Sequence, residues 1–406
     1  MKHLLLELAS RFFLAVDRLR CRRYIRGWQA YFRRELQKAL AGFVNQMGVS
    51  ASLRLTEQEK VSVCKLWREK VGVAPDLTYY ALLKVALGRS PDAHYVSDDL
   101  YYSHILPFLN PLDESRVLED KSKYAFWFRD VERPRELVRM IRGQGYWSGD
   151  NERISEEDAV RAVVAFGKPI IMKPTIDSLC GRGITVLSSY SQADVLQALH
   201  SYGADFVVQE VVVQSPEMAQ FNQSSLNTFR ITSLHLNGRV SILSSIVRVG
   251  KQGSVVDNVG AGGYAVGVGN DGTVKECGYT AKGDVVRQTY GGKLLSNIRL
   301  DGYEKVKSSA LKLHSWMPYV PLIGWDLAIR EDGQVILIEM NASTPSVWFE
   351  QLCTGPLFGD RFDEVVRYVL CHRLEHAGRQ IATWRPDSRF YNLNKLLDGY
   401  AGGEKI

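Results

Sequence analysis

The chain has 406 residues, 45% of them hydrophobic and 24% charged, and a net charge of +6 at neutral pH. This length exceeds what one compact core usually holds, so we expect two or three lobes, and the composition argues against both a disordered chain and an integral membrane protein. Six cysteines are scattered without a CxxC pair. That pattern indicates free thiols in a reducing compartment, rather than a disulfide framework or a zinc site.

The first 55 residues form a basic arm that we expect to be helical. Residues 1–38 hold ten Lys or Arg against three Asp or Glu, a net charge of +7, so the remaining chain sums to −1. A near-neutral body weakens any nucleic-acid role, which requires basic residues spread over a folded face. Apolar side chains recur along the arm at helical spacing. They are Leu4, Leu5, Leu8, Phe12, Val16 and Leu19, then Trp28, Tyr31, Phe32, Leu36, Leu40 and Phe43.

The arm has two alternative locations. Charges at Glu7, Arg11 and Asp17 make the apolar run too short and too polar to cross a bilayer. The small-residue cleavage site of a signal peptide is also missing, so we expect a cytoplasmic protein. A basic amphipathic helix lies either on an anionic membrane surface or against its own domain. Peripheral membrane contact through residues 1–40 and packing on the body therefore both remain open.

Residues 56–119 form a mixed region that precedes the candidate catalytic domain. Thr56 and Glu59 make a capping box, which predicts helical structure over 56–90. Residues 91–119 are rich in aromatic side chains and contain three prolines, so we expect turns there.

From residue 120 to about residue 400, the sequence alternates between helical and strand patterns. Strands are expected over 169–173, 206–213, 228–236 and 240–249, and helices over about 155–166 and 356–400. Twelve of the 34 glycines lie between Gly250 and Gly292 among hydrophobic residues. This density indicates strands joined by tight loops, since a flexible linker would lack the hydrophobic residues.

The stretch 324–341 predicts a β-hairpin that ends in oxygen-bearing side chains. Two apolar runs flank an Asp-Gly pair at 332–333, which is a strong turn signal. Asp326 opens the first strand, and Glu339 and Asn341 close the second on one shared face, because residues two apart on a strand point the same way. Such hard oxygen ligands suit magnesium bridging the phosphates of a nucleotide. The alternative is that these residues merely cap the hairpin.

Several positions upstream of the hairpin could hold a nucleotide. Glycines let backbone N–H groups approach phosphate oxygens, and lysine and arginine side chains supply positive charge. The backbone N–H and C=O groups at the end of a strand can form hydrogen bonds with the edge of an adenine. The candidates are Lys121, Lys173, Gly181, Arg182, Gly183, Gln209, Glu210, Val211 and Val212. Arg230 and Arg248 interrupt two apolar strands, which is costly for a guanidinium unless it meets an anion. An ordinary β-turn, a core strand and surface-facing arginines are the alternatives.

In this order, the residues resemble the ATP-grasp superfamily. The segment from Asp326 to Asn341 is similar to that of the ribosomal-protein glutamate ligases and glutathione synthetases. The upstream segment 95–123, together with Asn258 and the pair 262–263, is similar to the sugar-transfer-associated ATP-grasp group, which is thought to act in bacterial surface-polysaccharide pathways. The resemblance covers about residues 60–375 and leaves out the arm.

The resemblance implies an α+β ATP-grasp fold, in which two α+β lobes clasp ATP after a mainly helical N-terminal region. The implied bounds are 1–55 for the arm, 56–119 for the mixed region and 120–400 for the ATP-grasp domain. Within that domain, the nucleotide lobe spans about 150–215, and the metal and acyl-phosphate lobe spans about 220–375.

The resemblance also implies roles for the site residues. Two Mg²⁺ ions, or Mn²⁺, would be bound by Asp326, Glu339 and Asn341, and ATP phosphates by Lys121 and Lys173. Arg230 and Arg248 would be catalytic, by stabilising charge on the transferred group. Asn258, Gly262 and Gly263 would bind the acyl substrate.

The implied activity is an ATP- and magnesium-dependent carboxylate–amine ligase that forms an amide through an acyl phosphate. Its substrates would be a small-molecule carboxylate and an amine, with a sugar or an amino acid among the candidates, and no nucleic acid. Two alternatives remain open. One is a small-molecule kinase on the same scaffold, and the other is a non-catalytic nucleotide-binding adaptor of a membrane glycan-synthesis complex.

Overall fold

The computed structural model describes residues 2–47, 54–176, 183–255 and 257–381, which form thirteen α-helices and two antiparallel sheets. The helices are α1 Lys2–Met47, α2 Glu57–Val71, α3 Leu77–Leu87, α4 Asp98–Leu100, α5 Leu106–Leu109, α6 Leu112–Glu119, α7 Tyr124–Trp127, α8 Glu156–Phe166, α9 Gln192–Tyr202, α10 Pro216–Ala219, α11 Tyr303–Ser315, α12 Trp348–Thr354 and α13 Phe362–Ile381. The strands are β1 Glu136–Met140, β2 Tyr146–Ser148, β3 Arg153–Ile154, β4 Ile170–Pro174, β5 Thr185–Leu187, β6 Phe206–Glu210, β7 Thr228–Leu236, β8 Arg239–Val249, β9 Tyr264–Val268, β10 Val274–Thr280, β11 Val285–Val286, β12 Leu322–Ile329 and β13 Val335–Asn341.

Helix α1 packs on the body along its C-terminal half. Arg33 donates from Nε to Asp99 Oδ2 at 2.6 Å, and Gln29 donates from Nε2 to the carbonyl oxygen of Ser103 at 3.0 Å. The buried apolar residues of this half are Ile25, Phe32, Leu36, Phe43 and Val44. Over residues 25–44 the structure therefore shows the packed alternative, and membrane contact through residues 1–40 stays a prediction. Within the described ranges, no helix is both long and apolar enough to cross a membrane.

The region over residues 56–119 is more helical than expected. The capping box at Thr56 and Glu59 is confirmed, with the Glu59 N–H donating to Thr56 Oγ1 at 3.2 Å. The turns expected over 91–119 are wrong for most of that segment, since α4, a π-helical turn and α5 follow one another and α6 comes next. Pro107 lies in the first turn of α5 and Pro111 is the N-cap of α6. Pro111 is tolerated because the first helical N–H groups have no intrahelical partner, whereas Pro107 follows the π-helical turn, inside one continuous helical run from residue 98 to residue 109.

The smaller sheet has six strands in the order β3-β2-β1-β6-β4-β5. Helices α8 and α9 share one core with it. The expected strand 169–173 and helix 155–166 are confirmed within a residue. Strands β1 to β3 were not expected, and they add residues between Glu136 and Ile154 to this sheet. Across this sheet, Lys173 of β4 lies beside Val207 of β6.

The larger sheet has seven strands in the order β11-β10-β9-β8-β7-β12-β13. One face packs on α11 through alternate residues such as Phe229, Ile231 and Trp325. The other face packs at one end on the helices of residues 57–109 and on α12 and α13, through residues such as Leu234 and Leu322. The opposite end of this second face carries polar side chains. Of the helices expected over 356–400, α13 is confirmed, and residues beyond 381 lie outside the described part of the chain.

Candidate active site

Three neighbouring strands of the larger sheet bring the predicted metal ligands together. Asp326 of β12 pairs with Arg230 of β7 on one side and with Glu339 of β13 on the other. In the next row on the same face, Gly324 pairs with Asn341. The expected hairpin is therefore confirmed, and its register places the two carboxylates and the amide of the predicted set side by side.

Asp326 is buried at the centre of a charged network. Arg230 donates from Nε and Nη2 to its two oxygens at 2.6 and 2.9 Å, and Arg248 donates from Nη1 to Oδ2 at 3.1 Å. Asn341 Nδ2 donates to the same Oδ2 at 3.2 Å. Burial by itself would raise the pKa of Asp326, but the two guanidinium charges outweigh it and hold the pKa below its ordinary value. Both predicted catalytic arginines thus lie in the site.

Glu350 is a further carboxylate of this network that the sequence did not single out. Its Oε1 lies 3.7 Å from Arg230 Nη1, and Ser346 Oγ donates to its two oxygens at 2.8 and 2.9 Å. Complete burial raises its pKa above the ordinary range. Gly324 makes room for this arrangement, because a Cβ there would lie 3.2 Å from Arg230 Cδ. The guanidinium is consequently held from two sides.

The two predicted phosphate lysines also meet at the site. Lys121 Nζ lies 2.5 Å from Glu339 Oε1, and the Lys121 N–H donates to the carbonyl oxygen of Thr175 at 2.9 Å, just beyond β4. Lys173 at the end of β4 is buried. Burial, and then the nearby charge of Lys121, lower the pKa of Lys173 to about 8. Both lysines are therefore close to the carboxylates of the hairpin.

The loop before β9 closes the site beside Arg248. Asp257 Oδ2 lies 3.7 Å from Arg248 Nε and accepts a hydrogen bond from Thr228. Burial raises the pKa of Asp257. The pair Gly262 and Gly263 follows Asn258 in this loop. A Cβ at 263 would lie 2.1 Å from the Val249 carbonyl oxygen, and residue 262 has a φ of +102°, so the backbone requires glycine at both positions.

In residues 209–212, the segment predicted to bind adenine, some backbone N–H groups already form hydrogen bonds within the protein. The Glu210 N–H donates to the Arg135 carbonyl oxygen at 3.0 Å, and the Val211 N–H donates to that of Pro169 at 3.1 Å. Gln209 is buried in β6. Adenine recognition by this segment stays a prediction, and the amide of Val212 is its remaining candidate donor.

The predicted glycine loop is only partly described. Gly181 and Arg182 lie outside the described residues. Gly183 has a φ of +69°, and a Cβ there would lie 3.1 Å from Pro174 Cγ, next to the end of β4.

The donor chemistry of the hairpin end fits a divalent cation. Among the residues that the structure describes, no three His, Cys, Asp or Glu side chains form a metal-binding group. The predicted set instead combines two carboxylates with the amide of Asn341, and oxygen donors of this kind are what Mg²⁺ prefers. Each carboxylate is neutralised by protein cations, Asp326 by two arginines and Glu339 by Lys121. A cation bound at Glu339 would therefore replace Lys121 as its partner.

The profile of the family described as sugar-transfer-associated ATP-grasp matches residues 103–366. The chain belongs to this family. The α+β ATP-grasp fold implied by the resemblance is thereby confirmed, and the match leaves out helices α1 to α4.

Solved structures that are similar to this ATP-grasp chain are remote in sequence. D-alanyl-alanine synthetase A from Vibrio cholerae O1 biovar eltor is 12% identical, with 63% of this chain and 65% of that chain covered and a TM-score of 0.36. Biotin carboxylase from Campylobacter jejuni is 12% identical, with 64% and 48% covered and a TM-score of 0.42. A D-cycloserine synthetase is 18% identical, with 66% and 73% covered and a TM-score of 0.38. The chain spans less than two thirds of the length of the first two. A search of curated protein sequences found no match.

Proposed function

We propose that this ATP-grasp protein is an ATP- and Mg²⁺-dependent carboxylate–amine ligase that forms an amide through an acyl phosphate. The observation that carries the proposal is the grouping of four cationic side chains around two carboxylates. Lys121 contacts Glu339, and Arg230 and Arg248 contact Asp326. Lys173 is buried in β4, two residues before Thr175, whose carbonyl oxygen accepts the Lys121 N–H at 2.9 Å. Phosphoryl transfer depends on positioning and on charge neutralisation, which is what such a group provides.

Each residue would act on a defined part of the nucleotide. Lys121 and Lys173 would bind phosphate oxygens as point charges. Arg230 is held in place by Asp326 and Glu350, so its guanidinium is oriented before the substrate arrives and needs no reorganisation during the reaction. A divalent cation bound by Asp326, Glu339 and Asn341 would supply charge neutralisation on the phosphate oxygens.

The proposed reaction has two steps. An oxygen of the substrate carboxylate forms a bond to the γ-phosphorus of ATP, the bond from that phosphorus to the β-γ bridging oxygen breaks, and ADP leaves. The amine nitrogen then forms a bond to the acyl carbon, the bond from that carbon to the phosphate oxygen breaks, and the nitrogen loses a proton to give an amide. Arg248 lies beside Asp257 and the glycine pair, where the acyl group would bind.

The family description favours a sugar or a sugar derivative among the substrates. We therefore place the ligase in the synthesis of bacterial surface polysaccharide or glycoconjugate, with an amino acid or a sugar acid as the carboxylate. This setting rests on the family description together with the upstream segment 95–123.

Hydroxylamine tests the reaction type without knowledge of the natural amine. With ATP, Mg²⁺ and panels of amino acids and sugar acids, the purified chain should release ADP and convert the accepted acid to a hydroxamate. ADP release that requires an alcohol and yields a phosphate ester would identify a kinase instead. Metal-dependent nucleotide binding without any turnover would favour the adaptor.

Nucleotide affinity should fall as the pH rises above about 8. Lys173 carries its charge below its pKa of about 8 and loses it above, so the free protein must take up a proton to bind phosphate at high pH. The dissociation constant for ADP should then rise by up to about tenfold per pH unit. Isothermal titration from about pH 7 to about pH 10 measures this, and Lys173→Arg should flatten the profile because arginine stays charged. A flat profile for the wild-type protein would contradict the assignment.

A further inference from the structure

Residues 119–124, here termed the connecting segment, run along the end of β13 where two of the proposed metal ligands lie. Lys121 contacts the Glu339 side chain, and the Met340 N–H donates to Tyr124 Oη at 2.9 Å. The turn that follows Asn341 is held by Glu119. The connecting segment therefore touches the residues on both sides of Asn341.

Glu119 accepts three hydrogen bonds from the turn that follows Asn341. Its Oε1 accepts the N–H groups of Ala342 at 2.5 Å and of Ser343 at 2.6 Å, and its Oε2 accepts the Ser343 hydroxyl at 2.5 Å. Two successive backbone N–H groups form a small concave site that suits an anion. A carboxylate filling that site fixes the backbone directly after Asn341.

The connecting segment is also tied to the smaller sheet. The Lys121 N–H donates to the Thr175 carbonyl oxygen at 2.9 Å, one residue beyond β4, which carries Lys173. Asp120 caps the 3₁₀ turn of the segment by accepting the Ser122 N–H at 3.0 Å. One short segment therefore links the proposed phosphate lysines to the proposed metal carboxylates.

We propose that Glu119 is a positioning residue, which orients Glu339 and Asn341 toward the metal–nucleotide complex by holding the turn at 342–343. The inference rests on the metal site of the proposed function. Replacing a residue that orients metal ligands through hydrogen bonds commonly weakens metal binding by about 10- to 100-fold.

Glu119→Gln is the sharpest substitution, because it keeps the size of the side chain. Glutamine has one acceptor oxygen instead of two and no charge, so it cannot accept from both the backbone N–H groups and the Ser343 hydroxyl in the same way. Ser343→Ala is a milder companion, since it removes only the hydroxyl and leaves both backbone donors.

Glu132→Gln is a matched control. Glu132 lies outside the connecting segment, in the loop between α7 and β1, and its carbonyl oxygen accepts the Leu337 N–H of β13 at 2.8 Å. Its side chain is 61% exposed and pairs with Arg330 at 3.3 Å, away from the turn. The substitution should leave metal binding unchanged.

Electron paramagnetic resonance measures Mn²⁺ binding to the full chain in the presence of ADP. Calorimetry measures ADP binding in the absence of metal. Glu119→Gln should weaken Mn²⁺ binding by about 10- to 100-fold and leave metal-free ADP binding within about twofold. Ser343→Ala should show a smaller loss with the same selectivity. If Glu119→Gln does not fold, Ser343→Ala carries the test alone.

Three results would overturn the inference. Unchanged Mn²⁺ binding in the variants shows that Glu119 does not position the ligands. Equal losses with and without metal show a purely structural role. If the wild-type chain binds no Mn²⁺ with ADP, the proposed function fails together with the inference, whereas normal wild-type binding with unaffected variants removes the inference alone.

Discussion

Replacing Glu339 by glutamine should lower ADP formation by about a hundredfold or more, while the chain stays folded and loses only the stability that the ion pair with Lys121 contributes. The substitution removes the negative charge that pairs with Lys121 in the free protein and that would bind the divalent cation. It keeps the shape of the side chain. Because the Glu339 side chain is 31% exposed and ends a strand, its replacement should disturb little packing. A coupled ADP-release assay and a thermal melt measure the two quantities.

Glu331→Gln provides the control for this prediction. Glu331 lies in the turn of the same hairpin and is exposed, so its replacement should leave ADP formation and melting temperature unchanged. Turnover of Glu339→Gln within about tenfold of the wild type would contradict a metal role for this carboxylate. Asp326→Asn is a less suitable probe, because Asp326 neutralises two arginines and its loss should also lower stability.

Replacing Arg230 by methionine should lower the free energy of unfolding by about 3–5 kcal/mol and ADP formation by about a hundredfold or more. The substitution removes the guanidinium that donates two hydrogen bonds to buried Asp326 and that is the nearest cation to fully buried Glu350. A buried carboxylate without its partner is strongly destabilising. Urea unfolding measures the first effect and the ADP-release assay the second.

The double variant Arg230→Met with Asp326→Asn separates the two effects. Removing the carboxylate left behind should restore part of the stability, while activity stays lost. Arg161→Met is a control on the surface, where the Arg161 side chain is 59% exposed and pairs with Glu157 at 3.3 Å, and such pairs contribute about 1 kcal/mol at most. If Arg230→Met costs no more than Arg161→Met, the charged network around Asp326 does not stabilise the fold as described.

The hairpin and the presence of oxygen-bearing side chains at its end could be predicted from the sequence, because the information for both is local. The Asp-Gly turn sets the register near the turn, where Leu327 pairs with Leu337. A bulge between Asp326 and Leu327 then shifts the pairing by one residue and brings Asp326 beside Glu339, which no local pattern predicted. The arginines were recognisable because a guanidinium in an apolar strand requires an anion. The capping box at Thr56 is local in the same way.

Other parts of the site could not be predicted because their contacts join distant residues. Glu119 meets Ser343 across 224 positions, and Glu350 becomes significant only when α12 brings it to Arg230. The amides of Glu210 and Val211 are engaged by Arg135 and Pro169, which no local pattern reveals.

Turns and short strands account for the errors in the fold. The prolines at 107 and 111 were interpreted as breaks, although Pro107 lies inside a helical run that continues through a π-helical turn and Pro111 is the N-cap of α6. Strands β2 and β3 have three and two residues, which is too short for an alternating pattern to be recognised.

The central claim is that the end of the hairpin binds a metal–nucleotide complex. A crystal structure of the full chain with Mn²⁺ and a non-hydrolysable ATP analogue tests it most directly, because anomalous scattering locates the metal independently of the protein. We predict Mn²⁺ bound to carboxylate oxygens of both Asp326 and Glu339, with Lys121 released from Glu339 and in contact with a phosphate. Metal and nucleotide bound elsewhere, with the Lys121–Glu339 ion pair intact, would contradict the account.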